Sequence, residues 1–378
     1  QGGLIGLIDL FSGGAFKSFA LFAMSVTPYV NSSIIVQLLT VVIPRLEEMQ
    51  KEGEEGRKKI QEYVRYGTVI LALVQAFGLG MSLKNGGAFL NNNWWTLIVI
   101  MISLSAGTAF LMWLGELITE KGIGNGISLI IMAGIVSRLP SALSTLLQML
   151  RAGSINIFAL ITIAVAALAM TVLVVLITEG VRKVPVEYAK RVVGKRVYGG
   201  QRTHLPVRVN QAGMIPIIFA QSLLYLPMTI AQFMSNTNSF KIWVSSWLSG
   251  SGPHAWVFWV LNGLFIIFFT YFYTAVTFNP DEVADNLKKN GGFIPGYRPG
   301  KSTAEYLARV SERLTLVGSV YLALLTILPI AITGVANVGA GAFLTGSALL
   351  IVVGTALDTM NQINSQLVMR HYQGFMRN

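Results

Sequence analysis

Nine stretches of this sequence are long and apolar enough to cross a lipid bilayer: residues 19–43, 66–83, 94–115, 127–148, 155–178, 212–234, 255–278, 314–333 and 343–363. About 20 mainly apolar residues bridge the hydrocarbon core as a helix. Backbone groups in lipid must satisfy one another, so each stretch is expected to fold as a helix. Composition agrees, with 12% charged residues and a mean hydropathy of +0.61, against about 25% charged residues in soluble domains. Several stretches carry proline (Pro28, Pro140, Pro216, Pro227, Pro329), which membrane helices tolerate when neighbours re-satisfy the freed backbone groups. The fourth contains both Arg138 and Pro140 and departs furthest from an unbroken helix.

Basic residues set the orientation, because Lys and Arg collect on the cytoplasmic side. The connections 44–65, 179–211 and 279–313 hold most of them; with Lys121, Arg370 and Arg377 they place twenty-three on one face. The other face has Lys17, Lys84, Arg138, Arg151 and Lys241. Strict alternation over nine spans puts Gln1 outside and Asn378 inside. No secretory signal precedes the first apolar run, so one earlier helix is expected.

Several chemistries are disfavoured. The chain has no cysteine, hence no disulfide or thiolate metal site, and His204, His254 and His371 stand at no metal-ligand spacing. Ion-coupled transporters place ionisable groups near the midplane, whereas Glu116, Glu179 and Asp358 fall at span ends. Ser128 has no histidine in any span to activate it for proteolysis. GFIPGYRPGKST (292–303) ends like a phosphate-binding loop, but the position that must be glycine is Pro295, which has no N–H to offer. A pathway without charge of its own remains, against two alternatives: a solute transporter and an insertase without a pore.

The connection 179–211 is too long for packing alone, and its Val, Tyr and Leu alternate with charge, which predicts a hairpin-like structure. With 279–313 it forms a basic platform suited to an acidic protein or to RNA, with anionic lipid as the competing partner. GGLIGLIDLF (2–11) would reach only about 15 Å as a helix, half the hydrocarbon core. It is either interfacial or re-entrant. In the next run, Thr27, Asn31, Ser32 and Ser33 imply a face turned to water or to other helices.

Four motifs in order resemble bacterial SecY, the channel subunit of the general protein-secretion translocon: TPYVNSSIIVQLLTVVIPRLEEMQKEGEEGRKKI, MWLGELITEKGIGNGISLI, YAKRVVGKRVYGGQRTHLPVRVNQAGMIPIIFA and FNPDEVADNLKKNGGFIPGYRPGKSTAEYL. The resemblance runs along essentially the whole chain. It implies an all-α polytopic membrane protein, a ten-helix bundle of two pseudo-symmetric halves. Nine spanning helices and a short plug are visible here, and the first helix is absent. The implied divisions are 1–14 for the plug, 15–153 for the N-terminal half and 154–378 for the C-terminal half, with loops 179–211 and 279–313. The implied function is a protein-conducting channel of the bacterial cytoplasmic membrane, without catalysis or cofactor. It passes unfolded secretory chains across and releases membrane helices sideways.

By motif position, the resemblance assigns a plug containing Leu4, Ile5, Leu7, Ile8, Leu10 and Phe11. It also assigns a pore ring of Val26, Val30, Ile131, Ile218 and Ile351, with two valines where isoleucine is common, and a lateral gate with Asn31, Gln75 and Gln221. Lys195 and Arg196, at the tip of the first loop, and Arg298 and Lys301, in the second, correspond to docking residues for the motor ATPase SecA or the ribosome. Other implied partners are SecE and SecG-like subunits, a signal sequence, unfolded polypeptide and phospholipid. A sideways exit fits transfer energetics: apolar residues gain about 0.3–0.6 kcal/mol each in lipid, and a central charge costs about 2.5–3.5 kcal/mol.

Overall fold

The computed structural model describes residues 20–85, 93–153, 155–188, 191–193, 196–198, 202–232, 234, 238–248, 254–335 and 346–375. Within these, the apolar runs form helices whose ends are written locally in the sequence. Helix α1 (Thr27–Val42) has Pro28 in its first turn, where a missing N–H breaks no intrahelical bond. It stops before Pro44, which holds Ile43 in the extended region (φ −100°, ψ 110°). The chain turns through 105° into α2 (Pro44–Lys51). Helix α3 (Glu54–Asn85) follows, then α4 (Trp94–Lys121), α5 (Gly126–Ser137), α6 (Leu139–Arg151) and α7 (Ile157–Thr178). The break between α5 and α6 falls at Arg138, just before Pro140, so Arg138 ends a helix rather than sitting inside one. Asparagine side chains at 93, 125 and 156 accept backbone N–H groups at the starts of α4, α5 and α7. Each such cap stabilises a helix by about 1 kcal/mol.

After the first basic loop come α8 (Ile215–Gln232), α9 (Ser239–Trp247) and α10 (Ala255–Thr277); after the second come α12 (Lys301–Val335) and α13 (Gly346–Phe375). Helix α11 (Pro280–Lys289) lies within the second loop. Among the described residues, six helical segments are long and apolar enough to span, or seven if the bent pair α1–α2 counts as one. These seven coincide with seven of the nine expected runs. In the run 212–234, α8 (Ile215–Gln232) contains the apolar segment Ile215–Leu224. Helix α13 carries Asp358, Asn361 and Asn364 where its span would be completed.

The helices pack in a closed order, α1 on α3, α3 on α4, α4 on α5, α5 on α13, α13 on α7, with α10 between α8 and α12. Small residues permit close approach. Ser32 Oγ donates to the Val64 carbonyl at 2.8 Å, beside Gly67, where a Cβ would strike the Ser32 hydroxyl. Helix α7 leaves Phe158, Ile161, Val165, Leu168 and Leu176 exposed, a surface suited to lipid and not to water. Exposed Trp94, Trp95, Trp243, Trp247 and Trp256 lie toward the ends opposite the basic loops, with Lys84 Nζ 4.0 Å above the Trp94 ring. Aromatic rings of this kind favour the membrane interface.

The expected hairpin is present, and it is larger than one loop. Strand β1 (Val181–Tyr188) pairs antiparallel with β4 (Arg202–Arg208), from Val181 opposite Arg208 to Glu187 opposite Arg202. Between them β2 (Arg191–Val193) and β3 (Arg196–Tyr198) form a second hairpin. The other loop contributes β5 (Gly292–Phe293), which pairs with β1 at Glu187 opposite Phe293. Val184 and Val186, alternate residues of β1, are buried against Val207, Ile294 and Leu307. The two basic loops therefore share one sheet and one small core.

Candidate functional site

Val26 ends a tight turn before α1, in which Ser25 takes φ 50°, a left-handed conformation uncommon for residues other than glycine. That turn directs Val26 into the bundle, where it is 1% exposed. It packs in one cluster with Ile127, Ile131 and Ile135 of α5 and Ala348 and Ile351 of α13, and Val30 and Tyr29 lie at its edge. Ile218 of α8 lines a crevice with Ile351, Met214, Gln221 and Ser347 that is too narrow to hold a water molecule. Four of the five expected ring residues thus meet in one cluster, and the fifth joins through Ile351. Met214, which sequence reasoning missed, packs on both this cluster and the neighbouring core of α8, α10 and α12. Aliphatic side chains packed in this way offer an ion no replacement for its water shell.

The polar residues expected at a seam fall close by. Asn31 on α1 is half-buried, and its Oδ1 accepts the hydroxyl of Ser222 on α8 at 3.0 Å. Gln221 is buried in the crevice, and Gln75 is half-buried on α3, a helix that touches α8. The bond from α1 to α8 is therefore made by Ser222, the neighbour of the expected Gln221. Two polar residues side by side in FAQSLLY were the signal, and only the helix phase decides between them.

The turn that resembles a phosphate loop is built otherwise. Gly296 (φ 88°) and Gly300 (φ 104°) occupy backbone conformations that favour glycine. Thr303 Oγ1 donates to the Arg298 carbonyl at 2.9 Å, and the Tyr297 and Tyr306 rings pack with centroids 4.3 Å apart, tilted by 33°. Arg298 and Lys301 are exposed on the turn and at the start of α12. Arg196 belongs to β3, at the tip of the first loop. Lys195 and the segment containing Leu4, Ile5, Leu7, Ile8, Leu10 and Phe11 lie outside the described residues.

A bundle of membrane-spanning helices with an aliphatic cluster between α1, α5 and α13, and a basic sheet shared by two loops, is the architecture of a polytopic membrane protein. The SecY family model matches residues 20–360, and the chain belongs to that family. It is 46% identical to protein translocase subunit SecY of Streptomyces galbus, over 99% of this chain and 87% of that one. It is 45% identical to the subunit of the same name from Halalkalibacterium halodurans, over 100% and 89%. Solved structures share the fold. One described as a protein-conducting channel has a TM-score of 0.68 at 21% identity, covering 92% of this chain and 82% of that one. Sec61 in the canine ribosome–channel complex has a TM-score of 0.63 at 20% identity, with the same coverage. The chain is a multi-pass protein of the bacterial cytoplasmic membrane, a protein-conducting channel and not an enzyme.

Proposed function

We propose that Val26, Val30, Ile131, Ile218 and Ile351 form the constriction through which the translocating chain passes, closed at rest by the segment 1–14. The observation that carries this is convergence: Val26, Val30, Ile131 and Ile351, up to 325 positions apart in sequence, meet in one aliphatic cluster. Ile218 faces Ile351 across a crevice too narrow for water, and together these make an apolar collar. Aliphatic side chains hold no bound water and can part around a polypeptide. The complete channel is a ten-helix bundle in two halves, 15–153 and 154–378, with the basic loops and C-terminus cytoplasmic. The lateral exit lies between α1–α3 and α8–α10, closed in part by the Asn31–Ser222 bond.

The sheet body, with Lys195, Arg196, Arg298 and Lys301, is the docking face for the SecA motor and the ribosome. The canine Sec61 relative in fold was solved in a ribosome–channel complex, which supports this reading. SecE and SecG-like subunits cover part of the exposed apolar flank and phospholipid covers the rest. Signal sequences enter at the seam.

The absence of native cysteine gives a direct test. In the full channel complex, a cysteine replacing Ile218 is expected to form a disulfide with a cysteine in a stalled secretory chain, only when signal sequence and motor are present. If it reacts with lipid-phase probes and never with the chain, the constriction lies elsewhere. Ser222→Ala removes one hydrogen bond of about 1 kcal/mol from the closed seam. Export of a reporter with a weakened signal sequence is expected to rise about fivefold; unchanged export would mean the bond does not hold the seam.

A further inference from the structure

The four-residue turn Gly122–Asn125 between α4 and α5 is held against α13, late in the chain. The N–H of Gly124, a buried residue, donates to Gln362 Oε1 on α13 at 2.7 Å. Gly124 has φ +91°, and a Cβ there would stand 3.0 Å from Thr359 Oγ1. The turn therefore lies against Thr359 and Gln362 of α13, at one end of a stripe that Thr355 extends, the three residues being four and three apart. Ile351 continues that stripe one turn earlier, about 16 Å along the axis from Gln362 at 1.5 Å per residue.

The turn is also fixed to the helices on either side of it. Gly126 N donates to Thr119 Oγ1 of α4 at 2.8 Å, and Asn125 Oδ1 accepts from Ser128 N at 3.1 Å to cap α5. Ile131 follows one and a half turns into α5. The Gln362 bond thus links two helices that both feed the apolar collar, and it lies at their ends, away from the collar itself.

We propose that Gln362 is a positioning residue for the constriction. By accepting the Gly124 N–H it sets the axial register of α13 against α5, so that Ile351 lies level with Ile131 and Val26 in the resting channel. The inference rests on the constriction assigned above. Gln362 is exposed and Gly124 is buried, so the bond stands at the rim of the contact and its loss leaves a buried N–H without its acceptor.

The test uses the complete channel complex in proteoliposomes, with resting ion permeability as the readout. Q362L, which cannot accept the N–H, is expected to raise permeability about fivefold, the shift from one hydrogen bond. Q362E, which keeps the acceptor, is expected to stay within about twofold of the wild type. If Q362L does not assemble, Q362A supplies the same comparison. Equal leak from Q362L and Q362E, or none from either acceptor-less variant, would overturn the positioning role. Ile351→Gly separates the two readings. If it leaks while Q362L does not, only the Gln362 inference fails; if it does not leak, the constriction fails with it.

Discussion

Val186→Asp is expected to unfold the sheet body on the basic face while leaving the membrane bundle assembled. Val186 is 1% exposed and packs with Val184, Val207, Ile294 and Leu307. A carboxylate placed there has no partner among these aliphatic groups, and an uncompensated buried charge costs about 3–5 kcal/mol. Five buried aliphatic residues make a small core, and domains of any size hold only about 5–15 kcal/mol in reserve. The bundle has cores of its own and meets this one through the N-terminal end of α12, which carries Leu307. Limited trypsin digestion of the purified complex is the measurement, since 179–211 holds eight Lys and Arg residues. Cleavage in that loop should accelerate by roughly the hundredfold or more that this cost implies, with the elution volume of the complex unchanged. Lys183→Asp, at an exposed position of the same strand, should stay within about 0.5 kcal/mol of the wild type. Equal protease resistance in the two variants would show that the sheet body does not depend on this core.

Gly126→Val should destabilise the collar from behind. Any Cβ at Gly126 overlaps the Gly115 carbonyl oxygen and crowds the Ile118 Cβ, so α4 and α5 must separate. Overpacking of this kind costs about 1–3 kcal/mol, and more where the obstacle is backbone. Gly354→Ala on α13 is the matched control, because nothing stands within 4 Å of a Cβ there. Alanine in a helix interior is favoured over glycine by about 0.8–1.0 kcal/mol. Thermal unfolding of the purified complex should therefore move down for Gly126→Val and slightly up for Gly354→Ala. A midpoint for Gly126→Val equal to the wild type would mean that α4 and α5 are not in contact at that turn.

Local grammar made much of this fold legible in the sequence. Pro44 announces the bend after α1, the Arg138–Pro140 pair announces the break after α5, and alternating Val and charge announce the β1–β4 hairpin. Long-range pairings carried no such mark. Strand β5 is two residues long and about a hundred positions from its partner, so no periodicity reveals it. Gln362 meets a backbone N–H, and a backbone donor has no letter in the sequence. The collar residues are aliphatic in an aliphatic context; only family resemblance separated them from lipid-facing neighbours. Asn31 was legible as a polar residue out of place, and nothing in the sequence singled out Ser222 as the group that bonds to it.

The strand that joins the two basic loops has a mechanical consequence. β1 continues from α7, β4 leads into α8, and β5 lies between α11 and α12, so one sheet joins helices from two separate stretches of the chain. A load applied at the Arg298 turn would reach β1 through the pairing of Glu187 with Phe293, and through β1 the strand β4 that leads into α8. Two bodies pressing on those places would work a single lever whose short arm is α8, the helix that carries Ile218, Gln221 and Ser222.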